Sequence, residues 1–184
     1  MSTEYIKLDD WVKNLIVDPL SKEPLTISND KKLLVSPYGK IYPITNGIYD
    51  LRLKTMEITN DQRIWKSGQD FYEKWANSYL LKNNLQEFQS EVNGLKEVYQ
   101  EISLKGSILD VGGNQGSLRH FLDKNQRYIT CDPFPNPFEN LTQSSNLFKA
   151  FPVIQNPVNY ICCYSEYLPF QSSSFNNVHM RSVI

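Results

Sequence analysis

The spacing of apolar residues divides the chain into three stretches. Between residues 14 and 52, short strand-like runs (Leu15-Ile16-Val17, Leu25-Thr26-Ile27, Leu33-Leu34-Val35, Lys40-Ile41-Tyr42, Ile48-Tyr49) alternate with Asp18-Pro19, Ser36-Pro37-Tyr38-Gly39 and Thr45-Asn46-Gly47. Those intervening residues are turn formers, so the stretch predicts a small β-rich module. From Asp61 to Lys105 the period lengthens. Phe71, Trp75 and Tyr79 recur every four residues and predict a short helix. Leu85, Phe88, Val92, Leu95, Tyr99 and Ile102 step by three or four, an amphipathic stripe that packs against a sheet. Gly94 costs that helix about 1 kcal/mol relative to alanine without ending it. Beyond Gly106 come four strand-like runs: Ile108–Val111, Arg127–Asp132, Val158–Cys163 and Asn177–Ile184. Residues 133–157 read as a long connection with one short helix near Leu147–Phe151.

The first of these runs leads into Asp110-Val111-Gly112-Gly113-Asn114-Gln115-Gly116, followed by Leu118, Phe121 and Leu122 at helical spacing. A buried strand, a glycine-rich turn and a helix in that order form a cradle for a phosphate or nucleotide. Glycine permits positive φ and close approach, and the helix N–H groups point back at the loop. The order is not that of the dinucleotide fingerprint G-x-G-x-x-G: counted from Gly112 or from Gly113, two of its three glycine positions are occupied by other residues. What fits is D-x-G-x-x-x-G, through Asp110, Gly112 and Gly116. Asp132 follows Gly112 by twenty residues, at the end of the next strand. In a doubly wound sheet that strand end faces the same crevice, where a carboxylate accepts both hydroxyls of a ribose.

This motif resembles the first motif of class I S-adenosylmethionine-dependent methyltransferases, in particular the type 11-like core. Ser165-Glu166-Tyr167-Leu168-Pro169-Phe170 with Ser174-Phe175 is similar to the A-E-x-L-P-F … S-F-D segment of the same family. The resemblance implies S-adenosylmethionine as cofactor, held by Asp110, Gly112, Gly113, Asn114, Gly116, Asp132, Ser165 and Glu166. Asp110 would stand near the methionine ammonium and Ser165 and Glu166 beside the adenine. Asn114 replaces the family's middle glycine, and asparagine is among the few residues that enter left-handed conformations. Tyr164 and Asn176 stand where the family often has aspartates. Phe71–Tyr79 is similar to aromatic segments that fold over the cofactor, which makes Tyr72 and Tyr79 lid candidates. His179 and Arg181 fall near the expected acceptor mouth. No catalytic residue is identified beyond His179, and a base is needed only if the acceptor loses a proton on attack.

The segments Leu15–Leu25 and Gly39–Leu51 resemble the zinc-ribbon-like domain that precedes some methyltransferases. Asp18, Ser21, Val35 and Tyr38 occupy the places of its cysteines. Valine ligates nothing, so no bound metal is expected. Composition narrows the picture further. The chain has 184 residues, a net charge of −1 and no long basic run, which counts against nucleic acid as a partner. Its N-terminus is acidic and lacks the apolar core of a secretory signal, and no apolar run is long enough to span a membrane. Cys131, Cys162 and Cys163 do not make a disulfide framework. The expectation is a cytoplasmic α/β protein with an incomplete, Rossmann-like parallel sheet of about four strands, preceded by a small β-rich module and helices. The divisions are 1–55 (module), 56–104 (helical connection or lid) and 105–184 (the N-terminal part of a methyltransferase core). The expected activity is methyl transfer to a small molecule, with a protein partner reached through residues 1–55. A degenerate, non-catalytic binding module and an rRNA methyltransferase are the alternatives. The family's core has seven strands and this chain offers four, so the chain is expected to be incomplete and poorly active.

Overall fold

The computed structural model describes residues 2–53, 60–142 and 144–181. Its strands are β1 (Ile6–Lys7), β2 (Thr26–Ile27), β3 (Leu33–Val35), β4 (Ile41–Thr45), β5 (Ile48–Asp50), β6 (Ser107–Val111), β7 (Arg127–Asp132), β8 (Val158–Cys162) and β9 (Asn177–Met180). The helices are α1 (Asp10–Lys13), α2 (Asn60–Lys82), α3 (Leu85–Tyr99) and α4 (Asn146–Ala150), with short 3₁₀ turns between. The fold is mixed α/β, built on one nine-stranded sheet in the order β2-β3-β4-β5-β8-β7-β6-β9, with β1 also paired to β8.

The sheet joins two halves of different character. From β2 to β5 the neighbours are antiparallel, and Asn46 and Gly47, both at positive φ, close the β4–β5 hairpin in two residues. From β5 through β8, β7 and β6 to β9 every pair is parallel. β1 and β5 lie end to end along the same edge of β8, through Ile6↔Val158 and Tyr49↔Ile161. The N-terminal strands therefore extend the main sheet. The expected boundary near residue 55 lies outside the described residues. Leu15–Val17 is not a strand: Ile16 and Val17 make single bridges to Phe170 and Pro24.

Alternation along the strands sorts the core into two layers. Ile108, Tyr128, Val158 and Tyr160 face Phe88 and Leu95 of α3 and Leu147 and Phe148 of α4. Leu109, Val111, Ile129, Cys131 and Ile161 face Val12, Ile16, Tyr42 and Leu51. The N-terminal residues thus cover the face that helices would cover in a fully doubly wound fold.

Three helical expectations change. α2 runs 23 residues, far beyond the Phe71–Tyr79 segment, because helix-forming polar residues carry it without an apolar stripe. Phe71 and Trp75 remain 64% and 56% exposed. Asn83, at φ 47°, and Asn84 then break the chain, and the Asn84 side chain accepts from the Gln86 and Glu87 N–H groups to start α3. α3 ends at Tyr99, which leaves Ile102 beyond the helix and exposed. The expected helix after the glycine loop is a single 3₁₀ segment, Ser117–Phe121. β7 already starts at Arg127, so once the glycine loop has used residues 112–116, only the ten residues from Ser117 to Gln126 remain for both the helical turn and the return to the sheet. In the last run the strand is Asn177–Met180, and Ser182–Ile184 lie outside the described residues.

Candidate functional site

In a parallel sheet a ligand site forms beyond the carboxyl ends of the strands, where the strand order reverses. Here the chain passes from β6 outward to β7 and β8, then returns to β9 on the other side of β6. The reversal lies between β6 and β9, and the glycine loop leaves β6 at that end. Its backbone carries the predicted left-handed residues: Gly112 at φ 74°, Asn114 at 45° and Gly116 at 75°. The Gly112 N–H continues the ladder to the Cys131 carbonyl, 2.8 Å, and the Gly116 N–H turns back to the Gly113 carbonyl, 2.8 Å. Gly113 is required for a different reason. A Cβ there would collide with the Asp110 carboxylate and lie 2.6 Å from Thr130 Oγ1.

Asp110 is buried and both of its oxygens are engaged. The Tyr128 hydroxyl donates to Oδ2, and His179 Nδ1 lies 2.7 Å from Oδ1. His179 Nε2 is 2.6 Å from the Tyr99 hydroxyl. Sheet register explains the meeting: Asp110 is the partner of His179 on β9 and of Thr130 on β7, and Tyr128 lies one pleat repeat away on the same face. α3 brings Tyr99 over the edge. Arg181 Nη2 is 3.4 Å from Glu91 Oε1, and the Tyr79 hydroxyl is 3.0 Å from Glu91 Oε2. Burial, then the Glu91 carboxylate, pushes the Tyr79 hydroxyl well above its ordinary range.

Tyr79, Glu91, Tyr99, Asp110, His179 and Arg181 line a cavity of about 160 Å³ that also touches Gly112, Gly113, Asn114, Trp75 and Phe151. A larger cleft, about 680 Å³, opens where the strands begin, near Arg127 and Val158, and holds none of the sequence-predicted cofactor residues. The smaller cavity is the site because it lies at the reversal of strand order.

Of the predicted residues, the structure brings Asp110, Gly112, Gly113 and Asn114 to this cavity together with His179, Arg181 and the lid candidate Tyr79. Tyr72 is exposed on α2 and does not line it. Gly116 lies behind the loop, where a Cβ would sit 3.1 Å from the Tyr128 ring and from Val158. Asp132 is buried at the end of β7 and does not line the cavity. Its carboxyl accepts from the Phe134 N–H, 3.3 Å, and from the Asn114 N–H, yet burial outweighs both and raises its pKa to about 7. Ser165 and Glu166 occupy a 3₁₀ turn after β8, hydrogen-bonded to each other at 3.1 Å, away from the cavity. The following Leu168–Phe170 segment is pinned by the N-terminal residues: Lys22 Nζ donates to the Leu168 carbonyl and the Val17 N–H to that of Pro169. Asn176 serves the start of β6, its Oδ1 accepting from the Ser107 N–H at 2.8 Å and hydroxyl at 2.9 Å. An acceptor is needed there, and asparagine supplies one as well as aspartate would.

Sequence reasoning missed Tyr99, Tyr128 and Arg52. The alternation that places Tyr128 on the Asp110 face was available, since it precedes Thr130 by one repeat. Arg52 is held bidentate by Asp50, at 2.8 and 2.7 Å, and donates to the Pro133 carbonyl, fixing the corner after Asp132. At the positions of the missing zinc ligands, Asp18 accepts from the Leu20 and Ser21 N–H groups and from the Tyr42 hydroxyl, while Tyr38 is exposed. Among the described residues no cluster of His, Cys, Asp and Glu could hold a metal ion, and no helix is long and apolar enough to cross a membrane.

The residues present can be tested against an S-adenosylmethionine site. The loop has the required bend, and Asn114 Oδ1 is buried within it with no hydrogen-bond partner, an acceptor waiting for a donor. Asp132 lies on the other side of the same residue, holding its N–H. These acceptors suit the hydroxyl and ammonium groups of such a ligand. The volume admits only part of it, because sites for drug-sized ligands run to about 300–1,000 Å³. Comparison with known proteins finds no family model, no curated protein and no solved structure that matches the chain.

Proposed function

We propose that the chain carries the first four strands of a class I, Rossmann-like methyltransferase sheet and binds S-adenosylmethionine at the glycine loop. The observation that carries this reading is the parallel order β8-β7-β6-β9, with the loop at its reversal. Numbered in chain order these strands run 3-2-1-4, as in the first part of a doubly wound sheet. S-adenosylmethionine would supply a methyl group already activated by its cationic sulfur. The chain's own residues would bind and orient. The loop's left-handed backbone and Asn114 Oδ1 would hold the cofactor, and Asp132, buried outside the cavity, would have to ionise and turn from the Phe134 and Asn114 N–H groups to accept the ribose hydroxyls. Asp110 is committed to Tyr128 and His179. Any role toward the methionine ammonium is therefore shared with holding His179 in place.

The test is calorimetric titration of the purified chain with S-adenosylhomocysteine. Saturable binding is expected, weakened about tenfold or more by Asp132→Ala, the scale of a hydrogen bond to a charged group. Binding unaffected by that change removes Asp132 from the site, and absence of binding removes the cofactor. Absence would favour the second reading, a degenerate methyltransferase-like module that binds a partner and not the cofactor. The specific observations on its side are the cavity of about 160 Å³ and the full engagement of Asp110.

A further inference from the structure

The hydrogen bonds around His179 have a direction. Asp110 takes the Tyr128 proton on Oδ2 and offers only an acceptor to His179 on Oδ1. His179 therefore carries its proton on Nδ1, and in the neutral ring Nε2 is left with a lone pair. The Tyr99 hydroxyl at 2.6 Å is the donor to it. Burial pushes the Tyr99 pKa up, against a lowering effect of Arg181, so the hydroxyl keeps the proton it donates. Its oxygen retains lone pairs on the cavity side. The chain of groups thus ends in an acceptor backed by a base, and that base is held by a buried carboxylate. The other charged and titratable groups in this region are Glu91 and Arg181, paired to each other, Tyr79 on Glu91, and Arg119, whose guanidinium lies 5.9 Å from the Tyr128 ring centre. None of them competes for His179 Nε2.

The cavity's size and lining give the ligand. A cavity of about 150 Å³ lined by apolar side chains holds a benzene ring. This one is about 160 Å³; Trp75, Leu80, Leu95, Leu118, Phe151 and Ile154 give it an apolar wall, and Glu91, Asp110, His179 and Arg181 a polar one.

We propose that the cavity binds a single-ring phenol, whose proton is accepted by the Tyr99–His179–Asp110 chain. The phenol O–H proton passes to Tyr99 Oη as the Tyr99 proton passes to His179 Nε2. The products are a bound phenolate and an imidazolium held by Asp110, so the charge separates without any net gain or loss of protons. This binding does not require the methyltransferase reading.

The experiment is a titration with 4-nitrophenol, followed by the phenolate absorbance at a pH one unit below the free compound's own pKa. Saturable binding with growth of the phenolate band is expected. Tyr99→Phe keeps the ring and should lower affinity about tenfold or more, the scale of a charge-assisted hydrogen bond; His179→Gln should abolish the band. Binding without the band, binding unchanged in both variants, or no saturation at millimolar probe overturns the proposal. Circular dichroism and thermal unfolding verify that the variants fold. If they do not, the wild-type chain still decides. It has two histidines, so His120→Asn assigns the remaining imidazole, whose ¹⁵N shifts must report an Nδ1–H tautomer. An Nε2–H tautomer overturns the relay. Failure of S-adenosylhomocysteine to bind alongside a positive nitrophenol result would remove the methyltransferase reading and leave this one standing.

Discussion

Asp18 and Asp132 are both buried carboxylates beside turns, and they behave in opposite ways. Burial alone would raise both. At Asp18 the Ser21 N–H, the Tyr42 hydroxyl and the Leu20 N–H, all at 2.8–2.9 Å, outweigh it and bring the carboxyl below its usual range. At Asp132 two backbone N–H groups remain, the Phe134 one at 3.3 Å, and burial prevails. Donor supply and depth together separate a structural carboxylate from a poised one: Asp132 is enclosed by far more protein than Asp18 and has fewer donors to offset it. The 18–23 turn curls around Asp18, also joining its N–H to the Glu23 carbonyl and its carbonyl to the Lys22 N–H. This carboxylate ties the turn to β4. Asp132 ends a buried strand, where neighbouring backbone is spent on the sheet.

The largest effect should follow from breaking the satisfied member. Asp18→Ala strips the buried Tyr42 hydroxyl and two N–H groups of their acceptor, at a cost of about 4 kcal/mol, because each unsatisfied buried group costs roughly 1–3 kcal/mol. Urea unfolding at neutral pH measures it. A loss within the range of an ordinary exposed substitution, about 0.5 kcal/mol, would mean that the turn does not depend on Asp18.

The poised member should show itself through pH. The Asp132 carboxyl is raised from 3.8 to about 7 in the folded chain. The folded state therefore binds a proton between those values that the unfolded state has released. Its contribution is complete below about pH 4 and is lost as pH rises through about 7, a fall of about 4 kcal/mol. Asp132→Asn, which stays neutral, should flatten that fall and be more stable than the wild-type chain at pH 8. Parallel stability curves for the two proteins between pH 4 and 8 would refute the assignment to Asp132.

How much of this could be read beforehand depends on distance along the chain. The parallel strands β6, β7, β8 and β9 were legible because each is a short apolar run, and the bend at Gly112, Asn114 and Gly116 because few residues tolerate positive φ. The docking of β1 and β5 on β8 was not. Ile6 meets Val158 and Tyr49 meets Ile161 across more than a hundred residues, and nothing local in either strand specifies its partner. The same holds for the site. Asp110 and His179 were each singled out, but their contact follows from β9 lying beside β6, a fact of strand order. Tyr99 joins them only because α3 packs over that edge. Aromatic spacing in α2 predicted a helix, and the exposed Phe71 and Trp75 show that a four-residue period gives a helical face without saying what covers it.

The smallest predicted effect separates two glycines and bears on how Asp110 is held. Gly94 is exposed in the middle of α3 and a Cβ there meets nothing within 4 Å. Gly94→Ala should stabilise the chain by about 1 kcal/mol, through helix propensity alone. At Gly113 the same methyl group meets the Asp110 carboxylate and the Thr130 hydroxyl. The carboxylate cannot yield without leaving Tyr128 or His179, so Gly113→Ala should destabilise by about 2 kcal/mol, the scale of overpacking in a filled core. It should also disturb the His179 imidazole resonances, which Gly94→Ala leaves unchanged. If both substitutions prove equally benign, Asp110 has room to move, and the tight seating that distinguishes it from an ordinary strand-end carboxylate would be lost.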